Sequence, residues 1–110
     1  MNDNEYIIKY LRKYKKEDIL IDKHAELRAK QRDLDLEEVY YNLLNPSKRL
    51  SFTNKLEEES DGLEKFKCYF GYSKTQCQIY IIKFSDKLII KTIIKLNKRW
   101  QKRAEKYGKI

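Results

Sequence analysis

Apolar positions recur at helical spacing up to about residue 45, and after Pro46 the period falls to two. Ile7, Leu11 and Tyr14, with Ile8 beside them, mark one face of a first helix over about 4–15. Ile19, Leu20 and Ile21 lie between Asp18 and Asp22 as a short extended or transitional piece. A second helix is predicted from His24 to about Arg32, capped by Asp22 and with Glu26 near its first turn. Asp33-Leu34-Asp35 reads as a turn. Asp35 then caps a third helix over 36–44, and Glu38 three residues later makes a capping-box-like pair. Leu36, Val39, Tyr40, Leu43 and Leu44 form its apolar stripe, and Asn45-Pro46 ends it.

Strands are predicted over 49–53, 65–70, 78–84 and 88–96. The acidic stretch 57–62, closing on Asp61-Gly62, supplies the first hairpin connection. In the second strand Phe66, Cys68 and Phe70 share a face, opposite Lys65, Lys67 and Tyr69. In the last, alternation sets Leu88, Ile90, Thr92 and Ile94 against Ile89, Lys91, Ile93 and Lys95. Helices first and strands afterwards make an α+β fold: N-terminal helices on a four-stranded antiparallel meander. The tail 97–110 reads as a short basic helix anchored by Trp100.

A length of 110 residues fits one domain and excludes the large multi-domain catalysts. No apolar run reaches the roughly 20 residues of a membrane span, and the N-terminal segment lacks a signal-peptide pattern, so a cytoplasmic protein is expected. Charge changes the picture most. Lys and Arg number 25 against 17 Asp and Glu, a formal +8, which favours a polyanionic partner, chiefly nucleic acid. A solvated Lys- and Glu-rich surface of the heat-adapted kind gives the same arithmetic. Cys68 and Cys77 make no CxxC and have no histidine nearby, so they read as packing thiols; no metal and no cofactor is expected.

One local pattern carries candidate chemistry. In the segment KHAELRAKQR, His24, Arg28 and Arg32 stand at steps of four, within an arc of about 80° on a helix. A neutral imidazole accepts a proton near pH 7, and two guanidinium groups grip a phosphodiester bidentately. Base, acid and phosphate stabilisation are what RNA cleavage through the 2′-hydroxyl requires. The same spacing also suits a packing histidine with arginines in surface ion pairs. A second histidine is lacking, so the acid falls to a Tyr or Lys, with Tyr69 the first candidate and Tyr72 and Tyr80 beside it. Tyr69 is placed to stack on a base while Lys65 and Lys67 meet phosphates; Lys91 and Lys95, and Arg99 and Arg103 of the tail, extend the candidate nucleic-acid contacts.

The segment 19–50 resembles a family of small His-Ala-x-x-Arg domains related to the BrnT and RelE/ParE-type toxins. The resemblance rests on His24, Ala25, Arg28, Arg32, Glu37, Glu38, Val39, Asn45 and Pro46. It covers about 20–96, leaving the first helix (1–19) and the tail (97–110) outside. It implies a RelE/BrnT-like fold and a toxin-type, metal-independent endoribonuclease acting on RNA, including ribosome-associated mRNA, and neutralised by an acidic antitoxin. Two other readings stand beside it: a non-catalytic nucleic-acid-binding protein, and a protein-interaction module of a mobile element.

Overall fold

The structure, a computed structural model, describes residues 3–97. Three helices precede most of the sheet: α1 (Asp3–Leu11), α2 (Lys23–Gln31) and α3 (Leu36–Leu44). The strands are β1 (Ile19–Ile21), between α1 and α2, then β2 (Leu50–Leu56), β3 (Lys65–Gly71), β4 (Cys77–Phe84) and β5 (Leu88–Leu96). The expected basic helix with Arg99 and Arg103 lies outside the described residues.

The α+β class stands, but the sheet has five strands and is mixed, in the order β1-β5-β4-β3-β2. β2 to β5 form the antiparallel meander. β1 is the addition: Ile19, Leu20 and Ile21 run parallel to Leu88, Ile89 and Ile90. Three residues are too few to show a period, and each partner lies 69 residues further along the chain. A local pattern therefore cannot reveal the pairing. It nevertheless fixes the start of α2, because the Asp22 N–H donates to the Ile90 carbonyl at 2.9 Å.

β5 carries the second correction. Ile82 pairs with Ile90 while Ile81 pairs with Thr92, so Lys91 is an extra, bulged residue. An inserted residue reverses the parity of everything after it. Leu88 and Ile90 therefore share the helix-side core with Ile93, whereas Ile94 and Leu96 pack with Tyr69, Cys77 and Ile79 on the other face. The grouping expected from simple alternation, with Ile94 beside Ile90 and Ile93 opposite, does not hold.

All three helices contribute to one core against one face of the sheet. Ile7 and Leu11 of α1, Ala25 and Ala29 of α2, and Val39 and Leu43 of α3 meet Phe66, Phe70, Tyr80, Ile82 and Phe84. α2 buries only its two alanines, so its backbone rests close to the sheet and its other residues are turned outward or half-buried. The helix stops in a Schellman motif: Leu34 N–H donates to Ala29 O and Asp33 N–H to Lys30 O. Asp33 occupies the left-handed position at φ 53°, where glycine is usual.

Candidate nucleic-acid interface

Asp22 caps α2 as the sequence implies, its Oδ1 accepting from the His24 backbone N–H at 3.0 Å. Its Oδ2 meets Lys91 Nζ at 3.3 Å. The cap, and secondarily the lysine, hold the Asp22 carboxyl below its usual range. Beyond this cap the surface of α2 is cationic. Lys23, His24, Arg28, Lys30 and Arg32 are all exposed, and Glu26, bound to Lys30 at 3.5 Å, is the only acid between residues 23 and 32. Arg32 falls just past the last helical residue, at the C-cap, still bonded through its N–H to Arg28 O. Leu27 is set among these cations and is 54% exposed.

Every ion pair among the described residues is made by a lysine. None uses His24, Arg28 or Arg32. The alternative that puts these arginines in surface ion pairs is therefore not what the described residues build: the nearby Glu26 takes Lys30 and Asp35 caps α3. The expected reciprocal box at that cap is also absent, since the Glu38 carboxylate accepts instead from Gln78 Nε2 at 2.8 Å.

The other candidates scatter. Tyr69 is 5% exposed and lies on the sheet face opposite the helices, edge-on to Phe52 and with Lys67 Nζ 5.5 Å from its ring centre. It does not share a surface with His24, so the sheet itself separates the proposed base from the proposed acid. Lys65 is bound to Glu59 at 3.0 Å and Lys91 to Asp22, which neutralises both as phosphate contacts. Lys95 remains exposed and makes no ion pair among the described residues. The acidic connection between β2 and β3 is an internal clamp. Lys83, 5% exposed, sits between Glu59 at 3.2 Å and Asp61 at 2.6 Å, and hydrogen bonds from Lys65 and Lys83 depress the Glu59 carboxyl while Lys83 depresses that of Asp61.

Both cysteines are buried, and desolvation raises their thiols, Cys77 to about 11. Among the described residues no three His, Cys, Asp or Glu side chains converge. Also among them, no helix is long and apolar enough to cross a membrane.

A second polar centre went unread in the sequence. Asn42, 1% exposed, donates through Nδ2 to the hydroxyls of Tyr72 and Tyr80, each at 2.8 Å. Tyr80 donates to Gln78 Oε1, and Gln78 in turn donates to Glu38. Burial pushes the Tyr80 phenol up. The Arg49 guanidinium lies 4.2 Å from the centre of the Tyr72 ring. The available signal was Asn42 itself, a polar residue in step with Val39 and Leu43 on the buried stripe of α3. Comparison with known proteins finds no family model, no curated protein and no solved structure that matches this chain.

Proposed function

We propose that the protein binds RNA, with the exposed cationic face of α2 gripping the phosphate backbone. The observation that carries this is the unspent charge of that helix: Arg28 and Arg32 flank one surface with no carboxylate partner among the described residues, although the chain is rich in acids. Guanidinium groups left in water next to an exposed leucine suit a partner that brings both charge and flat apolar bases. Each phosphate neutralised on a single strand adds about 0.7 to the salt slope of binding. Replacing Arg28 and Arg32 with Ala should lower the slope of log K against log salt by about 1.4. Fluorescence anisotropy with labelled RNA checks this, and an unchanged slope with unchanged affinity overturns the assignment to α2.

A second reading, the toxin-type endoribonuclease, is favoured by His24 alone. Its ring is exposed one turn from Arg28, where a bound phosphodiester would lie within reach. Under this reading His24→Ala abolishes cleavage and growth arrest while RNA binding persists, and an acidic antitoxin covers α2. Cleavage by the alanine variant at the wild-type rate removes it.

A further inference from the structure

Above the β4–β5 end of the sheet a pocket of about 120 Å³ is lined by Glu38, Tyr72, Gln76, Cys77, Gln78 and Lys95. It is smaller than the roughly 300–1,000 Å³ of sites that swallow whole cofactors, so it suits one planar group. Its chemistry is unusual in one respect. Glu38 and Lys95 carry opposite charges and line the same small space, yet make no ion pair with each other. Glu38 is held from behind by Gln78, which among the described residues leaves Oε1 and the remaining lone pairs of Oε2 available. Lys95 is paired through the backbone with Gln78, so both charged groups are anchored to the same strand position. Tyr72 adds an aromatic wall whose hydroxyl is fixed by Asn42 and whose ring is stacked by Arg49. Behind that wall Asn42 Oδ1 is buried and, among the described residues, without a hydrogen-bond partner.

We propose that this pocket takes a guanine base of a single-stranded RNA, with Glu38 reading its N1–H and N2–H donors and Lys95 its O6 acceptor. The proposal rests on the RNA-binding reading and adds base preference to it. Guanine is the base that presents two adjacent donors beside an acceptor. Adenine and cytosine set a ring-nitrogen lone pair against the carboxylate, and uracil offers a single donor between two carbonyls. Unstacked bases of single strands are recognised in this manner, by aromatic or guanidinium stacking plus hydrogen bonds to the base-pairing edge. A free amino-acid zwitterion would satisfy the two charges but would leave the tyrosine wall without use. Lys91, which binds the cap of α2, precedes Lys95 by four residues on β5, about 13 Å of strand, so the strand that lines the pocket also carries the start of α2.

The full chain is titrated with labelled uridine oligonucleotides carrying one central guanosine, adenosine or inosine. The guanosine strand should bind between about fivefold and 150-fold more tightly than the adenosine strand, the range for a bidentate contact, and inosine, which lacks the N2 amino group, should lose most of that advantage. Glu38→Gln should erase the preference for the guanosine strand over the adenosine strand. Equal binding of guanosine and adenosine strands, or a preference that survives Glu38→Gln, overturns the pocket assignment while RNA binding stands. Should no RNA bind, the RNA reading fails by itself, and guanosine monophosphate is followed by NMR. Shifts confined to Glu38, Tyr72, Gln78 and their neighbours support the pocket, and their absence overturns it.

Discussion

Tyr80→Phe tests the buried chain that backs the pocket. The ring is fully buried and packs on Phe70 at a centroid distance of 5.0 Å, so phenylalanine keeps its apolar contacts. What disappears is one hydroxyl that accepts from Asn42 and donates to Gln78. Asn42 Nδ2 keeps its bond to Tyr72, but Gln78 Oε1, on a side chain that is 4% exposed, is left without its donor. A net hydrogen bond contributes about 1 kcal/mol, and an unmet buried acceptor costs about 1–3 kcal/mol. Together these set the loss at about 2 kcal/mol, or about 8–10 °C in Tm for a chain of this length. Chemical denaturation with a fixed m-value measures it directly. Replacing both partners, as Tyr80→Phe with Gln78→Leu, should cost less than the sum of the single changes, because no buried acceptor is then stranded. A Tyr80→Phe protein within about 0.5 kcal/mol of wild type refutes the hydrogen-bonded chain as described.

Alkaline unfolding offers an independent check. The Tyr80 and Tyr14 phenols are raised by burial, and that of Tyr6 to about 12 by its hydrogen bond to Glu64. A raised phenol contributes stability that is complete below its unfolded value near pH 10 and is lost as pH climbs toward the folded value. Stability should therefore fall from about pH 10 upward, less steeply in Tyr80→Phe, as followed by denaturant midpoints across pH. At the acid end Asp18, Asp22, Glu59 and Asp61 are all depressed by hydrogen bonds or lysines, so stability should hold above about pH 4 and decline below it as they protonate. Asp33→Gly should stabilise the protein by about 0.5–1 kcal/mol, since glycine adopts the left-handed position at the end of α2 without strain; a lower Tm contradicts the Schellman geometry. Gly62→Ala should instead destabilise by about 1 kcal/mol, because its φ of 71° penalises any Cβ even where the space around it is open.

The local elements and the cationic helix were readable from the chain because each rests on short-range rules. Asp22 and Asp35 announce the starts of α2 and α3, Asn45-Pro46 the stop, and the His24-Arg28-Arg32 spacing a shared surface, since helix geometry needs no tertiary partner to place side chains four apart. Long-range pairing decided the rest. β1 exists only because Leu88 to Ile90 lie beside it, and the bulge at Lys91 reverses the faces of β5 because the Ile81–Ile82 register demands it. Tyr69 was sent to the far face of the sheet, away from His24, while Glu38 was drawn from its helix cap to Gln78. Which cations remain available is likewise a matter of packing. Lys65 and Lys91 look no different in sequence from Lys95, yet a neighbouring carboxylate engages the first two and leaves the third at the rim of the pocket. Spacing determined what stands on a helix face; only the folded chain, by bringing distant charges within Coulomb range, determined which of those groups is left to meet a partner.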